Sequence, residues 1–396
     1  MKIAYISFDF PPETSNHETY SYAYTISVLM SERGHEVEVF TASSSGLSLM
    51  EQQNDNLLVH RIYSTDRDDF HKDILPIFSE RHKITVFDLV ESGGYRSEGL
   101  SIKQAFPGLP MIIRFSSLSF RIKMLNEKYN AFPFTQRLKK ITGLSEYKKE
   151  KDKEYMFALS ANALSLPSVL IRDALVKYWN LDPSRITVIP NPYLAPEELL
   201  DLPVETSANR ITFICRPEMR KAISPFGAAI PLVLEKYPAI QFRLVAKTNN
   251  KDNKIGDLGD YIKDQPEELL NNIEFKGYTG TDPITPFLAE TDICVLPGSW
   301  DSFEYDCLDA MSAAKGIVAN RESSMKDMLE NIKGGKLVDP ESPREIADAI
   351  LFLLDNPEQR FVMGIRCRAK AILYYRKEVI KETEPYYEYI GGATKK

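Results

Sequence analysis

The feature that most constrains the fold is the order of elements in the first 41 residues. An apolar run, Lys2–Ser7, leads through a loop with Pro11 and Pro12 into a helical stretch, about His17–Arg33. Within that stretch Tyr22, Ile26, Leu29 and Met30 share a face. Gly34 reads as the helix stop, and Glu36–Thr41 as a second strand. Strand–helix–strand at this length is a βαβ unit and therefore a parallel sheet. Further strands are expected at Leu57–Ile62, Asp88–Glu91, Met111–Phe115 and Ile186–Ile189. Pro190–Asn209 reads as a linker.

A second βα series follows. Its expected strands are Ile211–Cys215, Phe242–Ala246, Ile273–Phe275, Asp292–Leu296 and Ile317–Ala319. Its expected helices are Pro225–Tyr237, Glu304–Ala314, Pro343–Leu354 and Pro357–Tyr375. The predicted architecture is α/β, with two doubly wound Rossmann-like domains over 1–195 and 205–375. A last helical stretch in 376–396 is expected to pack back on the first domain. Ligands of open α/β sheets bind at the carboxyl ends of the strands, so two such sheets facing a central cleft would share one site.

A chain of 396 residues suits two domains, and 43% apolar with 27% charged residues suits a soluble core. A net charge of −7 argues against a nucleic-acid partner. No apolar run approaches a membrane span, and the first residues do not read as a signal peptide, so a cytoplasmic location is expected. Cys215, Cys294, Cys307 and Cys367 share no metal-binding spacing and read as reduced, packed thiols. All five histidines lie within the first 82 residues. Chemistry in the second half must therefore use carboxylates, Lys, Arg and backbone.

No GxGxxG follows the first strand and no GxxxxGK[ST] occurs, which disfavours dinucleotide enzymes and P-loop NTPases. Asp66-Arg67-Asp68 has a metal-binding pattern but reads as a solvated turn. The strongest signal follows Asp292–Leu296: a loop carrying Asp301 and Ser302, then a helix from about Phe303 or Glu304 that carries Cys307, Leu308 and Asp309. The first turn of such a helix is an anion site. Carboxylates beside it suit sugar hydroxyls; the plain alternative makes Asp301 a cap and Asp309 a solvated residue. The second signal is Arg216 directly after a strand, with Lys221 five residues on. This pair suits a diphosphate, the alternative being ordinary surface charge.

Arg216 with Lys221, Asp301-x7-Asp309-Ala-Met, Phe10-Pro11-Pro12, Gly34-His35-Glu36-Val37 and Val188-Ile-Pro-Asn191-Pro192 together resemble the family-4 retaining glycosyltransferases, which have the GT-B fold. The resemblance implies transfer of a hexose from a nucleotide-diphosphate sugar, with retention, no metal and no other cofactor, releasing UDP. Arg216 and Lys221 would neutralise the leaving diphosphate. Asp301 with the backbone of Ser302, Phe303 and Glu304 would hold the donor sugar, and Asp309 the ribose. Backbone N–H groups at Cys307 and Leu308 would reach a phosphate. Tyr278 and Thr279 would receive the base, and Ser15 and Asn16 would cap the phosphates from the first domain. In this sequence Ser15-Asn16, Cys215, Ala222 and Ser323-Ser324 replace family glycines. Asp301 and Asp309 replace glutamates, and Ser116 replaces a histidine.

Residues 121–153 hold ten Lys or Arg and four acids, interleaved with aromatics. They read either as solvated helix faces or as a surface for anionic lipid at the inner face of the membrane, or for a lipid-linked saccharide acceptor. The expected donor, UDP-glucose, and the expected pathway, surface or extracellular polysaccharide, follow from what such enzymes commonly do. The rival readings are a degenerate GT-B protein that binds nucleotide or a partner transferase without turnover, and a GT-B-like epimerase or phosphorylase.

Overall fold

The computed structural model describes residues 1–13, 21–46, 48–130, 147–206, 208–215, 220–248, 270–279, 284–296 and 303–392. Side chains are placed for all of these except 125–130, 215, 220–222, 246–248 and 278–279. The chain divides into two compact units, Met1–Pro192 with Val379–Lys396, and Tyr193–Glu378.

The first unit is built on strands β1 (Lys2–Ile6), β2 (Glu36–Ser43), β3 (Leu49–Asn54), β4 (Leu57–Tyr63), β5 (Leu89–Gly93), β6 (Met111–Arg114), β7 (Ala163–Leu166) and β8 (Ile186–Val188). Their order in the sheet is β3-β4-β2-β1-β5-β6-β7-β8. Only β3 runs antiparallel to its neighbour. The longer helices are α1 (Tyr22–Glu32), α2 (Leu75–Thr85), α3 (Ser119–Asn130) and α4 (Lys153–Ser160). Ile3 and Tyr5 of β1, with Val37 and Val39 of β2, pack under Ile26 and Met30 of α1. This is the face the spacing in α1 predicts. Gly34 adopts φ +85°, its N–H donating to Ser31 O at 3.0 Å while His35 N–H reaches Met30 O at 3.1 Å. A left-handed residue ends the helix there, which favours glycine.

The second unit contains β9 (Arg210–Cys215), β10 (Gln241–Thr248), β11 (Ile273–Thr279), β12 (Ile293–Leu296), β13 (Gly316–Asn320) and β14 (Lys336–Val338). All pairs are parallel, in the order β11-β10-β9-β12-β13-β14. Helices α5 (Arg220–Leu234), α6 (Tyr305–Ser312), α7 (Pro343–Asp355) and α8 (Pro357–Ala371) accompany them. Ile211, Phe213, Phe242 and Val295 from the sheet meet Phe226 and Ile230 of α5 and Ile350 of α7 in the core. Helix α9 (Arg376–Gly392) begins in this unit and continues into the first, where Ile380 and Tyr387 join its core.

Three local expectations are corrected. Helix α5 starts at Arg220, not Pro225, and carries Pro225 and Pro231 within it. Strand β11 runs on to Thr279. From Tyr193 on, the stretch read as a linker belongs structurally to the second unit. Tyr193 N–H donates to Tyr374 O at 2.7 Å, Tyr193 O accepts from Arg376 N–H at 3.1 Å, and Leu199 of the short helix Glu197–Leu200 is buried. Among the described residues, no helix is long and apolar enough to cross a membrane.

Candidate active site

Apart from the antiparallel β3–β4 pair at the edge of the first sheet, the sequence order reverses once in each sheet, between β1 and β5 in the first unit and between β9 and β12 in the second. Such a switch point opens a crevice at the carboxyl edge, because the connections leave the two strands in opposite directions. In the second unit Ile211 pairs with Ile293 and Phe213 with Val295. The neighbouring strands β9 and β12 therefore end on the same edge, at Cys215 and Leu296. Both sequence signals begin there, one at residue 216 and the other at residue 297.

Ser15, Asn16, Arg216, Asp301 and Ser302 lie outside the described residues. Lys221 is the second residue of α5, in its first turn and not in a loop; its side chain is outside the description, as are those of Tyr278 and Thr279. The backbone of Tyr278 and Thr279 forms the last two positions of β11, in register with Lys247 and Thr248 of β10.

Helix α6 carries the rest. Glu304 takes extended backbone angles at its N-cap (φ −103°, ψ 92°), and no side-chain hydrogen bond caps the first turn. Leu308 N–H donates to Glu304 O at 3.3 Å, the first intrahelical bond of α6. The N–H of Cys307 belongs to the first turn, where no intrahelical acceptor exists. The Cys307 side chain is fully buried and burial pushes its thiol up, the mark of a packed, unreactive sulfur. Cys294 and Cys367 are likewise free and buried, their thiols pushed up to about 12 by desolvation.

Phe303 is buried edge-on against Tyr305 at 5.1 Å and Tyr374 at 5.9 Å between ring centres, anchoring the entry to the helix. Asp309 is 1% exposed, so it is not a solvated helix residue; its Oδ1 accepts from the Tyr193 hydroxyl at 2.6 Å. Tyr193 is a partner that sequence reasoning missed, because it lies in the Pro-rich stretch and pairs 116 residues away.

The far end of α6 is fixed by α8. Arg368 donates to Ser312 O at 2.8 Å and to Leu202 O at 2.6 Å, placing a cation on the negative end of the helix. At Gly364 of α8 an added Cβ would lie 2.2 Å from Ala314 O, so glycine permits this approach. Ser323 and Ser324, in place of a glycine pair, are buried just beyond β13, and Ser323 Oγ donates to Asn320 O at 2.9 Å.

In the first unit, Phe8 N–H donates to Glu98 Oε2 at 3.2 Å, and Arg67 pairs with Glu98 at 3.0 Å and with Asp9. The Arg67 guanidinium lies 4.5 Å from the Phe8 ring centre. Burial lifts the Glu98 carboxyl to about 7, despite Arg67. Asp66 Oδ1 accepts Asp68 N–H at 2.8 Å, a turn, but Arg67 is drawn to the β1–β5 edge and is not merely solvated. Ser116 is exposed. Among the described residues, no group of three or more His, Cys, Asp or Glu could hold a metal ion.

Two family descriptions match the chain: Glycosyltransferase Family 4 over residues 21–193 and Glycosyl transferases group 1 over residues 208–356. D-inositol 3-phosphate glycosyltransferase from Paenarthrobacter aurescens is 21% identical, over 94% of this chain and 93% of its own. Among solved structures, sucrose-phosphate synthase from Thermosynechococcus elongatus superposes with a TM-score of 0.72 at 16% identity, covering 99% of each chain. Anabaena HepE in complex with UDP-glucose gives 0.66 at 14% identity, covering 98% of this chain and 99% of its own.

Proposed function

The two units of this chain carry, in order, a family 4 and a group 1 glycosyltransferase domain, making it a glycosyltransferase of GT-B type; we propose that it moves a hexose, glucose from UDP-glucose, to an acceptor hydroxyl with retention and without a metal. The observation that carries this reading is the switch point of the second sheet. Neighbouring strands β9 and β12 lead directly into the segment with Arg216 and Lys221 and into the segment with Asp301 and Asp309. Negative charge builds on the diphosphate as the glycosidic bond breaks. Arg216, Lys221 and the first-turn N–H groups of α6 would stabilise it, Asp301 with the backbone of Ser302, Phe303 and Glu304 would orient the sugar, and Asp309 would hold the ribose. Tyr278 and Thr279 at the end of β11 would face the base. That neighbours of the same fold were solved with UDP and UDP-glucose supports a UDP donor. A place in polysaccharide assembly at the cytoplasmic face is part of the same reading, with the 121–153 surface as its membrane contact.

The test is a panel of nucleotide sugars with released nucleoside diphosphate as the readout. UDP-glucose should turn over, and Arg216→Ala or Lys221→Ala should each lower turnover about 10²-fold or more. Unchanged turnover in both variants defeats the assignment. The buried serines and Cys215 and Ala222 at glycine positions favour one second reading, a nucleotide binder without turnover. A melting shift with UDP but no release from any donor would select it.

A further inference from the structure

Helix α8 is apolar on both sides. Gly364, Cys367 and Ala371 face inward and are buried. On the outer side Phe361, Val362, Ile365, Ile372 and Leu373 are 41–55% exposed, the last two in the turn Ile372–Tyr374 that continues the helix. Phe361, Ile365, Ala369 and Leu373 recur at every fourth residue and so form one row, with Val362, Arg366 and Lys370 as the row beside it. A helix on a globular domain ordinarily has a single apolar stripe, turned to the core. Among the described residues fifteen large apolar side chains are exposed, and five of them lie in this one patch, so the clustering is not the scatter expected of a soluble surface.

We propose that this outer face of α8 lies in the surface of a bilayer containing anionic lipid, as a membrane contact of the second unit distinct from residues 121–153. Residues 357–377 hold six Lys or Arg and one acid, Glu358, in a chain of net charge −7. Among the described residues, no carboxylate pairs with Arg366, Lys370 or Lys377. An aliphatic and aromatic stripe bordered by cations is the pattern of a helix that rests in the plane of a membrane interface, its apolar side chains among the acyl chains and its cations at the lipid phosphates. Arg366 and Lys370 have stems long enough to lie along the stripe while their charges reach the headgroups. A second copy of this chain fits the face less well. The five side chains expose on the order of 400 Å², about half of what one partner contributes to a standard interface, and self-pairing would bring two cationic borders together.

The helix is set in place without a membrane. Arg368 ties α8 to Ser312 O at the end of α6 and to Leu202 O, and Gly364 lies against the Ala314 carbonyl. The turn that exposes Leu373 buries Tyr374, whose ring centre lies 5.9 Å from that of Phe303 and whose carbonyl accepts from Tyr193 N–H at 2.7 Å. The outward residues are thus carried on a fixed frame, and insertion requires little further ordering of the chain. The contact also lies one residue from the packing that anchors the entry to α6.

The test is flotation of the full chain with vesicles of phosphatidylcholine, alone or mixed with phosphatidylglycerol. The chain should bind the mixed vesicles at least about tenfold more tightly than phosphatidylcholine alone, and less tightly as salt rises. Phe361→Trp places a reporter on the face. On mixed vesicles its emission should shift to shorter wavelength and be quenched by brominated acyl chains, beyond any change in the parent chain. Ile365→Ser with Leu373→Ser, both exposed positions, should weaken vesicle binding about tenfold or more and leave the melting temperature unchanged. Arg366→Glu with Lys370→Glu should abolish the preference for phosphatidylglycerol. No flotation of the parent chain, a silent reporter, or a serine variant that floats like the parent overturns the proposal. So does flotation that Lys148→Glu with Lys151→Glu abolishes while the reporter stays silent, since the contact then belongs to the first unit. A parent chain that sediments as a dimer and a serine variant that sediments as a monomer would assign the face to a second copy and overturn it too. Donor turnover enters none of these outcomes, so a failed transferase reading leaves them standing.

Discussion

Asp309 and Tyr193 show what a single residue in this chain can and cannot reveal. The aspartate belongs to a spaced motif and is legible; its phenol partner is not, because the pair is far apart in sequence and neither neighbourhood marks it. With both side chains buried and the hydroxyl 2.6 Å from Oδ1, Tyr193→Phe should cost about 1–3 kcal/mol in urea unfolding. It should also weaken UDP binding if Asp309 holds the ribose, because the carboxylate loses the bond that orients it; unchanged UDP affinity with reduced stability would make the pair purely structural. Glu38 offers a cleaner electrostatic case. Burial alone would raise its carboxyl, but bonds from His60 (2.7 Å), Arg81 (2.9 and 2.7 Å) and Thr85 (2.8 Å) outweigh that and hold it at about 2. A carboxyl lowered on folding contributes fully above the unfolded value near 4.5 and loses that contribution as pH falls toward 2. Glu38→Gln should therefore cost about 3 kcal/mol at pH 7, with the gap to wild type closing between pH 4.5 and 2. A gap that stays constant over that range would show that its cause is packing and not the charge.

Among elements, legibility followed burial. β1, β9 and β12 are largely apolar runs in the middle of parallel sheets, and β2 (EVEVFTAS) opens with a polar–apolar alternation, so their sequences announce strands. β3 (LMEQQN) is a largely exposed edge strand without alternation, and β7 (ALSL) has no β-branched residue and β14 (KLV) only one, unlike the equally short β8 (ITV) and β12 (ICVL). Pro225 looked like a helix start because proline favours that position; the good helix formers Arg220, Lys221 and Ala222 extend α5 ahead of it, which moves Lys221 from loop to helix. The placement of α6 depends on an approach that no motif announces, Gly364 of α8 against the Ala314 carbonyl. Gly364→Ala would bring a methyl to 2.2 Å from that backbone oxygen, so α6 or α8 must shift. The expected outcome is a loss of about 1–3 kcal/mol and a lower melting temperature, with a fall in donor turnover under the proposed reading, in which the first-turn N–H groups of α6 face the diphosphate. Ala369, exposed on the same helix, is the control: Ala369→Ser should change neither quantity measurably.

At the scale of the whole molecule, two doubly wound sheets were legible because the βα rhythm restarts after about two hundred residues. The first unit is discontinuous: Met1–Pro192 is completed by Val379–Lys396. Ile380 and Tyr387 of α9 lie in its core beside Tyr5, Ile26 and Leu89. The Tyr387 hydroxyl donates to the buried Glu91, and Tyr386 donates to Leu164 O at 3.2 Å. At the rim Glu384 pairs with Arg33 at 2.8 Å and His35 at 3.0 Å. Burial raises the Glu91 carboxyl, with Arg114 and Tyr387 opposing it. Removing α9 thus exposes core side chains and strips a buried carboxyl of a donor at once. A chain ending at Glu378 should lose amide-exchange protection in β1, β5 and α1 while β9, β12 and β13 keep theirs, since their core contains no α9 residue. Tyr387→Phe, which keeps the apolar body and deletes only the donor, should cost about 1–3 kcal/mol and leave that protection pattern intact. Full protection of β1 in the truncated chain would mean that the first unit closes its core without its terminal helix, and the discontinuous unit would then be a description of contacts and not of stability.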